Sequence, residues 1–317
     1  MISMAKVSVI IPTYNVEQYI ERCARSLFEQ TLEDIEYIFI DDCSLDKSIE
    51  ILMQIINEYP NRKDNVIIHR MKENGGQAIA RKWGVQNAKG DFIIHCDSDD
   101  WVDKHMYENM YNKAIMDNSD VVICDFSITN GKEINKPIKA CHANTPIHFL
   151  ENCLFQKDPW SLCNKLFSKK IYNNIEFTES SMGEDLATTT QLFMKVRKMS
   201  YIPEIYYYYF QNPQSTIHLP SEEAVLRRYY QLKDNTNIAI RHLEESEPLK
   251  NIVKRAKPLL QMSSCVPLLA LFNKKEIRKK WRKACPYISL WYLIKTPFSL
   301  YSKYSYIKYS IKYCFTK

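Results

Sequence analysis

Residues 97–100 read Asp-Ser-Asp-Asp, directly after the apolar run Phe92–Cys96. Two other apolar runs end in polar groups in the same way: Val7–Ile11 leads to Thr13-Tyr14-Asn15, and Tyr37–Ile40 leads to Asp41-Asp42. In an open α/β sheet, ligands bind beyond the carboxyl ends of the strands, so these three clusters are expected to share one crevice. Carboxylates packed this closely repel one another unless a cation or hydrogen-bond donors compensate. An Asp-x-Asp at a loop mouth suits a hard, oxygen-seeking ion such as Mg²⁺ or Mn²⁺, which keeps open coordination positions and commonly bridges a diphosphate. The alternative is that Asp99 or Asp100 only starts the helix expected over 103–117, but Asp103 already occupies that capping position. The seven histidines form no His-x-x-His or His-Glu-x-x-His group, and none is a candidate ligand. His95, mid-strand, is expected to be a satisfied sheet residue.

The elements that must hold these groups follow from periodicity. Val7–Ile11 is β-branched and apolar apart from Ser8, as a buried parallel strand requires, and Pro12 is expected to stop it. Residues 16–30 place Ile20, Ala24, Leu27 and Phe28 on one helical face. After the strand Tyr37–Ile40, Ser44 or Asp46 is placed to cap a helix whose apolar stripe is Ile49, Leu52, Met53 and Ile56. Val66–His69, Phe92–Cys96 and Val121–Cys124 supply three more strands. One helix runs from Gly75-Gly76 to about Ala88, and the 103–117 helix buries Met106, Tyr107, Met110 and Ala114. The alternation predicts an α/β fold, a Rossmann-like and mainly parallel sheet with helices on both faces. Beyond about residue 128 it fades. Trp160–Phe167, Ser181–Val196 and Tyr206–Phe210 read as pieces laid against the sheet, and 222–245 reads as a helix.

Composition narrows the possibilities. The chain has 317 residues, 45% hydrophobic and 25% charged, ordinary for about two globular units. Its six glycines form neither G-x-G-x-x-G after a strand nor G-x-x-x-x-G-K-[ST], which excludes Rossmann-type dinucleotide binding and P-loop hydrolysis. Ten cysteines without a C-x-x-C pair argue against zinc ribbons and a disulfide scaffold. The first strand begins almost at once, without a signal peptide, so a reducing, cytoplasmic setting is expected.

Four motifs in order, Val-Ser-Val-Ile-Ile-Pro-Thr-Tyr-Asn (7–15), Ile-Asp-Asp-Cys-Ser-Leu-Asp (40–46), Asn-Gly-Gly-x-x-x-Ala-Arg (74–81) and Asp-Ser-Asp-Asp (97–100), resemble the family-2 inverting glycosyltransferases. The likeness is collinear from residue 5 to about 215. It implies the GT-A fold, a nucleotide-diphosphate-sugar donor and a divalent metal, Mn²⁺ or Mg²⁺. Cys43 departs from the pattern, which usually has glycine there, although a small residue still fits. By position, the resemblance implies that Pro12, Thr13 and Tyr14 line the nucleotide pocket, with Tyr14 near the base. Asp42 would accept the ring N–H of the base, which favours uracil and hence a UDP-sugar. Asp97, with Ser98, would hold the ribose or donor sugar, and Asp99, together with Asp97, would hold the metal. Arg81 either reaches the nucleotide and the acids or forms a structural ion pair with one of the acids.

A second acidic pair, Glu184-Asp185, follows Trp160-x-x-x-Asn164-Lys165-Leu166-Phe167. It resembles the acceptor-side Glu-Asp signature of the same family, which implies that Asp185 is the general base. An inverting displacement needs one, because the acceptor hydroxyl must lose its proton as it attacks the anomeric carbon. The alternative is that Asp185 caps the 185–196 helix. Glu184 would contact the acceptor or donor sugar; Trp160 either stacks on a sugar ring or lies in the core. Tyr206–Phe210 with Asn212 and Ser215-Thr216 matches the family's usual ending and is expected to be a packed strand. The expected division is a GT-A domain over 1–215, with a nucleotide-binding half at about 5–128 and an acceptor half at about 129–215, then a basic helical region over 216–317.

That last region holds most of the charge asymmetry. Residues 251–317 carry 15 Lys and Arg against Glu276 alone, whereas the first 250 carry 28 basic and 36 acidic residues. Trp281, Trp291 and seven tyrosines between Tyr287 and Tyr313 are interleaved with the lysines. Such a pattern suits a segment lying in a membrane interface, and its apolar runs are shorter than the roughly 20 residues of a span. A helical cap with core aromatics is the alternative, and nucleic acid is not the expected partner. The expected protein is a peripheral enzyme on the inner face of the membrane, acting on a UDP-sugar and a saccharide acceptor, lipid-linked in one version. Two rivals are a sugar-nucleotide nucleotidyltransferase, which usually opens with a glycine- and arginine-rich loop where this chain has Pro-Thr-Tyr-Asn, and a non-catalytic saccharide-binding homologue lacking Asp99 or Asp185.

Overall fold

The computed structural model describes residues 5–131, 134–212 and 221–286, with 288, 289, 291, 303, 304, 307, 308 and 311 beyond them. The chain forms two compact units: Met1–Cys141, Ser161–Ser181 and Lys195–Asn212 make the first, and His142–Trp160, Met182–Met194 and Pro213–Lys317 the second. The sequence reading divides the chain once, near 215; the units interleave.

The first unit contains β1 (Val7–Thr13), β2 (Ile35–Asp41), β3 (Val66–Arg70), β4 (Phe92–His95), β5 (Trp101–Val102), β6 (Val121–Thr129), β7 (Ile134–Ile138), β8 (Lys165–Ser168) and β9 (Met199–Phe210). Their order is β3-β2-β1-β4-β8-β6-β9-β5, with β7 paired to β6 outside that path. From β3 to β4 every pairing is parallel, as the alternation predicts. Then β8 enters antiparallel between β4 and β6, and β9 runs parallel to β6, so the sheet as a whole is mixed.

β1 passes through Pro12, contrary to the expected stop, and pairs Pro12 with Ile40 and Thr13 with Asp41. The main-chain groups of Ile10 and Pro12 face the same neighbour, β4, and the last ladder bond there is Cys96 N–H to the Ile10 carbonyl. Pro12 therefore lies where no donor is needed.

Helices α1 (Ile20–Phe28), α2 (Ser48–Glu58), α3 (Gln77–Asn87) and α4 (Met106–Asp117) cover both faces. Val7, Val9 and Ile11 share one core with α1, α2 and α4. On the other face, an added Cβ at Gly84 of α3 would lie 2.5 Å from Ile10 and 3.1 Å from Ile40, so the helix approaches the sheet closely because it carries glycine. Arg62, buried, donates to the carbonyls of Phe28, Gln30, Leu32 and Glu33, satisfying the acceptors where α1 ends.

The second unit holds α5 (Pro146–Leu154), α6 (Glu184–Phe193), α7 (Glu222–Glu244), α8 (Lys250–Cys265) and α9 (Lys275–Ala284). Thr145 and Ser221 cap α5 and α7 through their side-chain oxygens. Phe149 of α5 stacks on Phe193 of α6 at 4.3 Å between centroids. Trp281 is fully buried with its ring edge-on to Phe272, so this tryptophan belongs to the core and not to an interfacial belt. Trp291 and Tyr304 are exposed. Tyr287, Tyr292, Tyr301, Tyr306, Tyr309 and Tyr313, like Ser215 and Thr216, lie outside the described residues. Among the described residues no helix is long and apolar enough to cross a membrane.

Candidate functional site

Parallel register brings the strand ends together. Thr13 lies opposite Asp41, and β4, on the other side of β1, runs into the 97–100 loop. Thr13 is buried with its hydroxyl on the Ile11 carbonyl, whereas the Tyr14 ring is 43% exposed. The two acids after β2 take different partners. Asp41 accepts the Ser44 N–H at 2.7 Å and an ion pair from Arg70 at 2.6 Å, so it shapes the turn. Asp42 accepts the main-chain N–H groups of Gly75 and Gly76, each at 2.8 Å, one on each carboxylate oxygen. Asn74 completes the link through the Asp42 carbonyl. Gly76 has φ +85°, and a Cβ there would lie 2.5 Å from Ser181 Oγ. The Asn-Gly-Gly motif is therefore a cradle that orients the Asp42 carboxylate. Cys43 sits at φ +66°, the left-handed conformation in which glycine is free of strain, and its thiol reaches the Met71 carbonyl at 3.1 Å.

The 97–100 loop gathers three carboxylates with unequal compensation. Asp97 Oδ1 accepts Gln77 Nε2 and Arg81 Nη2, both at 2.6 Å. Arg81, buried on α3, thus makes the ion pair that the sequence left as one of two options. Asp100 is fully buried and accepts Tyr207 Oη at 2.5 Å and the Phe210 N–H at 2.6 Å. Burial first, then Asp99 and Asp97, push its carboxyl well above the usual range. Asp99 accepts Asn212 Nδ2 at 3.0 Å; burial and the neighbouring Asp97 charge raise its pKa as well. Neither Asp99 nor Asp100 caps α4, and contrary to expectation Asp103 does not either: the N-cap is His105, without a side-chain cap bond, and the Asp103 carboxylate accepts the His105 N–H at 2.8 Å just before the helix. Ser98 is buried in the same loop.

These residues have the donor chemistry for a divalent ion. The carboxylates exceed the one cation paired with them, and all are hard oxygen donors. Among the described residues no three His, Cys, Asp or Glu side chains converge as a ready-made cage. Asp99 and Asp97 supply two hard oxygen donors, which fit a divalent ion that takes its remaining ligands from elsewhere.

His95 is buried, bonded through Nε2 to Tyr172 Oη at 3.0 Å, and burial, then the Arg81 charge, hold its pKa well below the ordinary value. Glu184 and Asp185 stand in the first turn of α6, in the second unit, after Gly183 at φ +83°. Glu184 is buried and Asp185 partly exposed. Trp160, half-buried, accepts the Thr189 hydroxyl on its carbonyl at 2.7 Å. Sequence reasoning passed over Gln77 and Arg22, and took Tyr207 and Asn212 as parts of a packed strand and its ending, not of the site. Only its place within the 74–81 motif could have pointed to Gln77; the others come to the loop from elsewhere in the chain.

Comparison with known proteins places this geometry. The family model for glycosyl transferase family 2 matches residues 8–175. An uncharacterized glycosyltransferase of Bacillus subtilis, EpsJ, is 27% identical over 89% of this chain and 83% of its own length. A poly(ribitol-phosphate) beta-glucosyltransferase of Bacillus spizizenii is 32% identical over 64% of this chain, which spans about a third (32%) of that protein. Among solved structures, Staphylococcus aureus TarS 1–349 in complex with UDP-GlcNAc superposes with a TM-score of 0.58 at 20% identity, over 86% of this chain and 83% of that one. The mannosyltransferase PcManGT from Pyrobaculum calidifontis, in complex with GDP-Man and Mn²⁺, gives 0.60 at 18% identity, over 99% and 86%. The fold is GT-A, and by the family match the chain belongs to glycosyl transferase family 2.

Proposed function

We propose that the protein is an inverting glycosyltransferase that moves a hexose or N-acetylhexosamine from a UDP-sugar to a saccharide hydroxyl during assembly of a surface polysaccharide or related glycan. The observation that carries this reading is the excess of acids in the 97–100 loop, three carboxylates with Arg81 paired to one of them, after β4 at the same end of the parallel strands as the cradled Asp42. Mn²⁺ or Mg²⁺ held by Asp99 and Asp97 would offset that charge and stabilise the negative charge developing on the departing diphosphate. The Asp42 oxygens each retain a lone pair beyond their Gly75 and Gly76 bonds and accept the uracil ring N–H. Pro12 and Thr13 form the pocket wall, the exposed Tyr14 ring meets the base, and Ser98 lies with Asp97 at the ribose. Arg81 orients the Asp97 carboxylate.

In the transfer, the acceptor oxygen bonds to the anomeric carbon as that carbon's bond to the diphosphate breaks. The electron pair leaves with the nucleoside diphosphate, and the hydroxyl proton passes to the Asp185 carboxylate. Configuration inverts, so an α-linked donor yields a β-glycoside. Glu184 and Trp160 are assigned to the acceptor or donor sugar. The poly(ribitol-phosphate) relative supports a polymeric acceptor. The basic 250–317 region supports one presented at the inner membrane surface on a lipid carrier, with the protein bound peripherally.

Calorimetry with UDP, GDP, CDP and dTDP, with and without Mn²⁺, tests the reading. Mn²⁺-dependent binding of UDP alone is expected, lost in Asp99→Ala and retained in Asp185→Asn, which abolishes transfer. Full transfer by Asp185→Asn overturns its role, and tighter GDP or dTDP binding moves the donor class.

A further inference from the structure

Asp99 takes its polar contacts from distant parts of the chain. Its carboxylate Oδ2 accepts Asn212 Nδ2, 113 residues away and just beyond β9, and its main-chain carbonyl accepts Arg22 Nη2 of α1 at 2.8 Å. Tyr19 Oη donates to Asn212 Oδ1 at 3.3 Å, which leaves the amide nitrogen to face the acid. The Arg22 guanidinium lies 3.8 Å from the centroid of Trp101 and 4.7 Å from that of Phe210, so two rings fix its plane. Its Nε is buried without a hydrogen-bond partner.

The division of labour has an electrostatic consequence. A buried carboxylate is stabilised either by a cation, which cancels its charge, or by neutral donors, which orient it and leave the charge in place. Arg22 is within reach of this segment, yet it donates to the main-chain carbonyl. The donor on the carboxylate is the neutral Asn212 amide. Asp97, by contrast, is paired with the Arg81 cation. Of the two acids assigned to the metal, Asp99 is therefore the one whose carboxylate no cation pairs directly, Arg22 acting on it only through space.

We propose that Asn212, backed by Arg22, is a positioning residue for Asp99, fixing its carboxylate with a neutral amide so that an acid without a direct ion pair meets the divalent ion of the donor site. The inference rests on the donor-site reading above. Calorimetric UDP titrations with and without Mn²⁺ test it, with unfolding midpoints measured alongside. Asn212→Ala is expected to weaken UDP binding about tenfold in Mn²⁺, about 1.4 kcal/mol, and to leave binding without Mn²⁺ within about twofold. Asn212→Gln restores part of the loss, and Arg22→Lys, which keeps the charge without the planar fork, weakens Mn²⁺-dependent binding in the same direction. Equal losses with and without Mn²⁺, or no loss in either, overturn the inference while wild-type Mn²⁺ dependence upholds the donor site. A wild-type protein that binds UDP equally well without Mn²⁺ overturns both.

Discussion

Replacing Tyr207 with phenylalanine removes one oxygen atom from a fully buried position. That oxygen donates to Asp100 Oδ2 at 2.5 Å and accepts the Asp97 N–H at 3.2 Å, so it ties the two ends of the acidic loop to β9. At a pH high enough to ionise Asp100, whose carboxyl is pushed well above the usual range, a hydrogen bond to that charge contributes about 1.5–3 kcal/mol, and a buried donor left without a partner costs about 1–3 kcal/mol. Together these give a loss of about 3–5 kcal/mol for Tyr207→Phe, a large part of the 5–15 kcal/mol that typically holds a protein folded. The Asp100→Asn background separates the two contributions, because only the Asp97 N–H and a neutral hydrogen bond remain at stake there. In that background the loss should fall to about 1–2 kcal/mol, a coupling of about 2 kcal/mol between the residues. Urea unfolding of the four proteins, followed by tryptophan fluorescence with m-values compared, measures it. A loss below about 1 kcal/mol, or equal losses in both backgrounds, would refute the reasoning that the hydroxyl stabilises a buried charge.

Gly76→Ala should cost about 2 kcal/mol, since it meets both a left-handed φ and Ser181 Oγ at 2.5 Å, and Ser181→Gly in the same chain should recover the steric part in urea unfolding. The same substitution should weaken UDP binding, because Asp42 loses its alignment. Asp120→Asn should lower stability near pH 7 by about 2 kcal/mol. Burial alone would raise the Asp120 pKa, but Lys170 and the N–H groups of Arg197 and Lys198 outweigh it and hold the carboxyl below its usual value. Its stabilisation is then complete above about pH 4 and lost as pH falls through the lower folded value, so the wild-type and variant midpoints should converge in acid. A chain ended after residue 286 keeps the buried Trp281 and should retain UDP binding while losing co-sedimentation with anionic vesicles; continued pelleting would remove the tail from the membrane reading.

The parallel core and its acid-tipped strands were legible because each signal is local. Val7–Ile11 is apolar but for Ser8 and is buried throughout, and Asp97–Asp100 follows β4 with Cys96 alone between them. What escaped was non-local. β8 lies between β4 and β6 although some 40 residues separate it from β6 in sequence, and no run of residues encodes that insertion. Pro12 reads as a stop signal, and only knowing which neighbour it faces shows that the strand continues. Arg22 looks like one charged residue on an amphipathic helix, and Asn212 like one polar residue after a strand; their roles exist only once β9 lies alongside Trp101. Trp281 reads as interfacial by its basic neighbours but is buried, because helix phase, and not composition, decides which side chains face inward.

The alternation of the two units has a consequence for the order in which the protein is made. The chain passes from one unit to the other after residues 141, 160, 181, 194 and 212. A nascent chain that has emerged as far as Asn212 already contains every strand of the sheet and the whole 97–100 loop. α5 and α6, which carry the segment around Asp185, must wait for α7–α9 to complete their unit. A polypeptide stalled near that point would hold the acids assigned to the donor without the completed surroundings of the proposed base. On the proposed assignments, the residues for donor binding are thus written early in the chain and the surroundings of the base late.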